Sequence, residues 1–464
     1  MMNMERGGRL EAAFHWDLVC WAVGVSLLFA FTCPSHFLVA DEVAYFEQAL
    51  AWAGGKATIV SDYPPGTALV AAGFIALFGP KAVFWSGITA WLVGILAIAS
   101  LLNRLEKPTI WALYPALFLP GIVLTRTLMS DLSSFALASI FLSFYARPAN
   151  RGAAIVAGLA AGLGVLFRET NLLWALPFLA GAALRSHAFW KILWCGFLAG
   201  LGLRLGWGWL AFSDLLFVRD SGIGFSVFFL PQNLAFYLPA LLVLAPGGLY
   251  FLIKNPSPYR WEIAATAVLF LGVYGCYGYE AFAKSGAKAL VLQGRFLVPL
   301  LPFMALAVAE VLPNVGRRLR FGMALVAFVL FGVVQFVGRA HNAEQQRITD
   351  TLLHLPTLTH YTFTPDESRK YLNALHGQRT LLAPSQNSKP VPAEAMTEAG
   401  KDRICYAHLI TRSDSADWLK KTKEAEAAFE QYFRGCKTVQ VCNLTIRDGT
   451  RLRVWKIQTT KNDE

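Results

Sequence analysis

The chain has 464 residues, 55% of them hydrophobic and only 15% charged, with a formal net charge of +11. A soluble protein carries about 25% charged residues, and long apolar runs recur here from residue 18 to 338. That excludes a globular enzyme with one anchor and predicts a polytopic membrane protein. The basic residues are spread over short loops instead of forming a block, which signals membrane topology and not a nucleic-acid partner.

In chain order, Arg6 and Arg9 precede a first apolar run at 17–33. No small-x-small cleavage site follows, so the run reads as a first span and not a signal peptide, with the N-terminus in the cytoplasm. Residues 34–84 then lie outside. Their central stretch, 36–66, reads HFLVADEVAYFEQALAWAGGKATIVSDYPPG. The acid pair Asp41-Glu42 is costly in lipid and belongs at or beyond the membrane surface. From 40 to 53, Val43, Tyr45, Phe46, Leu50 and Trp52 alternate with Asp41, Glu42, Glu47 and Gln48, which predicts a helix lying along that surface, apolar side down. Pro64-Pro65 makes an extended turn. The apolar run Gly66–Gly79 is short for a crossing and reads as a surface or re-entrant helix.

Further spans are expected near 85–102, 109–125, 132–146, 153–167, 172–184, 192–212, 232–253, 261–279, 296–312 and 321–338. Every inward loop then carries basic residues: Arg104 and Lys107, Arg147 and Arg151, Arg185 and Lys191, Lys254 and Arg260, and Arg317, Arg318 and Arg320. About eleven spans satisfy the positive-inside rule, and a crossing at Gly66–Gly79 would break it. The domain division is therefore 1–339 in the membrane, with the acid pair on its external loop, and 340–464 as an extracytoplasmic domain.

The tail is charged, with short apolar runs. Thr380–Leu382, Ile404–Ile410, Lys437–Leu444 and Arg451–Ile457 read as strands, and Asp417–Phe433 as a helix, giving a small soluble α/β domain. Gly377–Met396 reads as a loop. The tail shows no catalytic constellation and suits a lid or stability role, or glycan or acceptor binding. The seven cysteines show no metal-ligand spacing. Cys20, Cys33, Cys195 and Cys276 read as small apolar residues. Cys436 and Cys442 would lie roughly 20 Å apart on one strand, too far to bridge each other. Cys405 can pair with either, or all three can be free thiols.

With this topology the unusual charges gather on the external side: Asp41, Glu42, Asp62, Arg126, Asp131, Arg168, Glu169, Arg219, Asp220, Lys284, Lys288 and Arg295. Outward basic residues run against the positive-inside trend and call for a bound anion, most simply a lipid phosphate. Arg204 lies inside a span, where a charge costs at least about 2.5 kcal/mol; it reads as a cavity residue, a lipid-phosphate ligand or a snorkelling side chain. Asp131 either binds hydroxyls or pairs with Arg126, and Arg168 either meets phosphate or pairs with Glu169. Tyr63 either stacks on a sugar or prenyl unit or belongs to an interfacial belt. The acids can hold a divalent ion, but no ligand spacing demands a metal.

An Asp-Glu pair after the first span, an aromatic soon after and a Pro-Pro turn some way on resemble the membrane glycosyltransferases of the GT-C fold. The nearest branch is family 39, with the protein O-mannosyltransferases and the lipid A aminoarabinose transferase. The resemblance covers about 15–340 and implies an α-helical polytopic membrane protein of the cytoplasmic membrane. It implies transfer of a sugar from a polyprenyl-phosphate donor to a glycan, lipid or protein acceptor on the outer face, with inversion. Asp41 matches the general base, Glu42 an orienting acid, and Asp131 a second acid. Arg126, Arg168, Arg295 and Lys288 become donor-phosphate ligands, and Asp62, Tyr63 and Glu169 substrate contacts. Those two branches carry a basic residue where Tyr63 stands, so neither branch, and no substrate, is assigned. The competing reading is a transporter or flippase of lipid-linked saccharides, which would place charges near mid-bilayer and often repeat its halves.

Overall fold

The computed structural model describes residues 18–38, 41–56, 58–146, 150–185, 189–218, 223–279, 289–355, 359–364, 380–382, 404–412, 416–434, 436–447 and 449–458. Arg6, Arg9, Arg147, Arg219, Asp220, Lys284 and Lys288 lie outside the described residues, as does most of the 377–396 loop. The chain divides into two units. One comprises 1–33 and 44–337, the other 34–43 and 338–464. The acid pair thus groups with the C-terminal part of the chain.

The first unit is helical. Helix α1 (Leu18–Thr32) is followed by α2 (Asp41–Ala53), whose first three residues belong to the other unit. Helix α3 (Pro65–Phe78) starts directly after Pro64, with Pro65 in the first turn, where a missing N–H costs nothing. After α4 (Trp85–Arg104), the stretch expected as one span at 109–125 is instead a 3₁₀ run, Thr109–Leu117, and a short helix α5 (Leu119–Leu124). Pro108, Pro115 and Pro120 deny it a continuous α-helical ladder. Then come α6 (Ser130–Tyr145), α7 (Arg151–Phe167), α8 (Leu172–Leu184) and α9 (Trp190–Phe212). Asn150 caps α7, its side-chain oxygen accepting the N–H groups of Gly152 and Ala153.

The span expected at 232–253 is broken. Helices α10 (Leu230–Val243) and α11 (Gly248–Lys254) meet at 86°, with Gly247 at φ 71° after Pro246. Helix α12 (Arg260–Gly275), the single turn α13 (Ala289–Leu292), a 3₁₀ run Gly294–Leu300 and α14 (Leu301–Val311) follow. Helix α15 (Arg317–Leu353) does not stop near 338 with the apolar stretch; it continues to Leu353 as a polar helix. Among the described residues four helical stretches are long and apolar enough to cross a membrane: Pro80–Arg104, Trp190–Phe212, Leu290–Val311 and Arg317–Leu353. The bent pair makes a fifth if counted as one span.

The most extensive pairing in this unit is between α7 and α9. Gly158 and Gly162 face Gly196 and Gly200, a small-xxx-small seam on both helices. A Cβ on Gly200 would come within 2.7 Å of the Gly162 carbonyl carbon, so the backbones touch. The seam ends nearly two turns before Arg168 on α7 and about one turn before Arg204 on α9.

In the second unit the sheet order is β2-β1-β3-β5-β4, from β1 (Thr359–Thr362), β2 (Thr380–Leu382), β3 (Ile404–Thr411), β4 (Lys437–Thr445) and β5 (Arg451–Gln458). Strand β1 runs parallel to β2 and β3, whereas β5 is antiparallel to β3 and β4. The four expected strands are present; β1, four residues rich in threonine, carries too little apolar pattern to be seen in the sequence. One face buries Ile410, Leu452 and Val454 against Ile348 and Leu352 of α15. The other packs Tyr361, Leu409 and Ile457 against Phe429 of α16 (Ala416–Tyr432) and Phe433 just beyond it.

The seam makes a test. Gly162→Val puts branched carbons into the α9 backbone and should lower the thermal unfolding temperature in detergent, at a cost of about 1–3 kcal/mol or more. Gly202→Ala, where nothing lies within 4 Å, should be neutral or stabilising. Equal effects of the two would contradict backbone contact at the seam.

Candidate functional site

Helix α7 ends at Arg168, which takes up extended backbone (φ −163°, ψ 127°). The turn after it is held by buried Asn171. Its side-chain NH₂ donates to Ser134 Oγ at 2.8 Å and the Gly164 carbonyl at 2.7 Å, and its Oδ1 accepts Trp174 Nε1–H at 3.0 Å. Arg168 is thereby aimed back at α6, where its guanidinium pairs with Oδ1 of Asp131. Asp131 is fully buried and sits in the first turn of α6, where the helix dipole favours an anion. Its Oδ2 is buried and has no hydrogen-bond partner among the described residues. Of the two readings open for Asp131, the geometry supplies Arg168 as its ion-pair partner and not Arg126.

Beside this pair lies an aromatic cluster. Tyr274 and Phe296 stack at 4.5 Å and 13°. Tyr277 and Tyr279 meet the Phe296 ring edge-on at 5.9 and 5.4 Å. The Arg168 guanidinium is 5.1 Å from the centre of the Phe296 ring, and that of Arg295 is 5.2 Å from the same ring. Two cations therefore converge on one side chain, each in cation–π range. Hydrogen bonds fix the cluster. Thr170 Oγ1 bonds the Tyr274 hydroxyl at 2.8 Å. Asn233 donates to the carbonyls of Gly275 and Tyr277 at the end of α12 and accepts from Gln293 at 3.0 Å. Asn233 and Tyr274 escaped the sequence reading, because each is an ordinary polar residue at a span end with no motif around it; Thr170 and Gln293 stand in the short motifs around Arg168 and Arg295, but with no role of their own assigned.

Glu169 does not pair with Arg168. Its Oε1 accepts from Arg204 at 2.6 Å, and Arg204 also donates to the Phe217 carbonyl at 2.6 Å. The charge within α9 thus has a carboxylate partner, supplied by the α7 end of the glycine seam. Arg126 is buried and donates to the carbonyl of Thr32 at 2.8 Å and to Gln335 Oε1 at 2.8 Å, tying the end of α1 to α15. Tyr63 lies 4.8 Å from Tyr45. Asp62 is exposed. Lys288 is outside the described residues.

Helix α2 differs from the expectation of a simple polar side. Glu42 and Gln48 are both buried. Gln48 Oε1 accepts the N–H groups of Val60 and Ser61 at 2.8 and 3.1 Å, and its NH₂ donates to the Thr58 carbonyl at 3.0 Å, holding the segment that leads to the Pro-Pro turn. Glu42 Oε1 accepts the Leu38 N–H at 2.8 Å. Backbone donors just before a helix explain why a carboxylate is buried there. Asp41 is half-buried. These two acids belong to the second unit, and the Arg168 cluster to the first. Among the described residues no group of three His, Cys, Asp or Glu is arranged to hold a metal ion.

Burial holds the His36 imidazole down to about 4, with Asp350 opposing and His341 reinforcing the effect. The unfolded chain takes up a proton near pH 6.5, whereas the folded chain resists until about pH 4. The contribution is full above pH 6.5 and is lost as pH falls toward 4, amounting to roughly 3 kcal/mol. His36→Gln should flatten that part of the stability-versus-pH curve in detergent; an unaltered slope would contradict a buried neutral imidazole. Separately, Asp131→Ala leaves the Arg168 charge without its buried partner and should cost about 3–5 kcal/mol. Asp131→Ala combined with Arg168→Met should recover much of that loss in thermal unfolding.

No protein-family model and no curated protein sequence matches the chain. Solved structures do. ArnT from Cupriavidus metallidurans in the apo state superposes with a TM-score of 0.62 at 15% identity, covering 96% of this chain and 98% of that one. ArnT from the same organism bound to undecaprenyl phosphate superposes with a TM-score of 0.62 at 16% identity and the same coverage. The likeness spans nearly the whole of both chains and shows that this protein has the fold of ArnT, the GT-C fold that the Asp-Glu pair and Pro-Pro turn led us to expect.

Proposed function

We propose that this protein is a multi-pass glycosyltransferase of the cytoplasmic membrane. It moves one sugar from a polyprenyl-phosphate donor to a hydroxyl or amine of a glycan, lipid or protein acceptor on the outer face. The observation that carries the reading is the convergence of Arg168 and Arg295 on Phe296. Two guanidiniums brought to one ring concentrate positive charge at one place, where an anion is attracted. Both cations sit beside one aromatic ring, and a phosphate monoanion or dianion is an anion that guanidiniums recognise well. The fold adds support, since ArnT has been seen with undecaprenyl phosphate bound.

In this reading the acceptor oxygen or nitrogen attacks the anomeric carbon from the face opposite the phosphate. Its bond to that carbon forms as the carbon–oxygen bond to phosphate breaks, and the electron pair leaves with the phosphate. Asp41 takes the acceptor proton, and Arg168 and Arg295 stabilise the growing negative charge. One displacement inverts the anomeric centre. Glu42 holds the backbone ahead of Asp41, and Asp62, Tyr63 and Glu169 are the candidate contacts to sugar or acceptor. Lys288 would add a further cation for the phosphate. Arg126 is a further candidate phosphate ligand in this reading. About eleven crossings, with the C-terminal unit outside, complete the arrangement.

The test uses full-length protein in nanodiscs with polyprenyl-phosphate mannose, glucose or aminoarabinose and a crude envelope acceptor fraction, following release of polyprenyl phosphate. Asp41→Asn should lower kcat at least about a hundredfold. Arg295→Ala should raise the donor KM about ten- to a hundredfold, the loss of one charge-assisted hydrogen bond. Donor movement across vesicles without release of polyprenyl phosphate would favour the flippase instead.

A further inference from the structure

The ten residues 34–43 group with the C-terminal unit, and the bonds that bind them to it are polar and buried. His36 Nδ1 bonds Ser35 Oγ at 2.8 Å, and Nε2 bonds Thr349 Oγ1 at 2.8 Å. Asn342 Nδ2 donates to the His36 carbonyl and Gln345 Nε2 to the Phe37 carbonyl, each at 3.5 Å, and Asn342 also donates to Gln345 Oε1 at 3.0 Å. Asn342, Gln345 and Thr349 are spaced three and four apart, so they form one stripe along the polar half of α15. The adjacent stripe, Ile348 and Leu352, is buried in the sheet core with Ile410, Leu452 and Val454. The helix therefore has two working faces. One is seated on the sheet and the other grips the segment that leads to Asp41.

We propose that the C-terminal unit is the positioning device for the catalytic carboxylate, with His36 and Thr349 as its positioning residues. This rests on the reading of Asp41 as general base. The chain of restraint is short. The sheet fixes α15, α15 fixes His36 and Phe37, and Glu42 accepts the Leu38 N–H. Asp41 is thus bracketed by a fixed point on either side. An apolar stripe at 342, 345 and 349 would bury more comfortably, but it would slide; paired polar groups set one register because any other leaves a buried donor or acceptor unsatisfied. Such accuracy matters for a general base, since a displacement near 1 Å costs about a hundredfold in rate.

Thr349→Val keeps the shape and removes the hydroxyl, and Thr349→Ser keeps the hydroxyl. In full-length protein in nanodiscs, Thr349→Val should speed amide hydrogen exchange across residues 36–43 at least about tenfold, while β3 amides stay protected. With whichever of polyprenyl-phosphate mannose, glucose or aminoarabinose supports turnover, its kcat should fall at least about tenfold with the donor KM unchanged. Thr349→Ser should keep both near wild type. Unaltered exchange at 36–43, or an unaltered kcat despite faster exchange, overturns the proposal. Equal loss of protection in β3 also overturns it, because the effect is then unfolding of the unit. An Asp41→Asn enzyme that retains full turnover would overturn the general-base reading instead, and the exchange result would still decide whether α15 holds the segment.

Discussion

A guanidinium inside an apolar helical unit must have a partner, and much of this structure answers that requirement. Arg168 has Asp131, Arg204 has Glu169, and Arg185 has Glu262 at 2.5 Å. Each pair joins two different helices or their ends, so neutralising the charge also fixes how those helices meet. Arg126 reaches a comparable end through carbonyls and an amide, linking α1 to α15. The penalty for an unpaired buried charge is large enough to make these links specific.

The same requirement underlies the proposed site. Asp131 answers one positive charge, while Arg168 and Arg295 both face Phe296. In the proposed function this concentration of positive charge meets the donor phosphate. Around Phe296 lie the rings of buried Tyr274 and half-buried Tyr277 and Tyr279. The backbone contact of α7 with α9 is what allows this. Glycines at four seam positions let the helices approach until Glu169 reaches Arg204, and the turn that follows delivers Arg168 to α6.

The acids on α2 follow a different logic. Glu42 and Gln48 are buried polar side chains in a short amphipathic helix, and both accept backbone N–H groups of flanking loops. They give order to stretches that have no ladder of their own. His36 does the same for the segment ahead of α2, with a partner 313 residues away. Loops on either side of the acid pair are held here by side chains borrowed from helices, which is how an irregular segment can be exact in place.

Local chemistry made a large part of this protein legible. Apolar length gave the membrane class. The Asp-Glu pair, the Pro-Pro turn and the span ends gave the fold, and alternation in 404–457 gave three strands and a helix within a residue or two. Prolines at 108, 115, 120 and 246 were equally visible, but hydropathy averages over them, so two expected spans proved to be broken rods. The partners of the charges were not legible at all. Asp131 had Arg126 five residues away and took Arg168, 37 residues away; Arg168 had Glu169 next to it, and that acid took Arg204. Sequence proximity cannot decide such choices, because a buried charge selects by direction and distance in space, and these exist only after the glycine seam has closed. The membership of Asp41 in the C-terminal unit has the same origin: the residues that hold its segment lie at the other end of the chain, and only the folded helix α15 brings them into line.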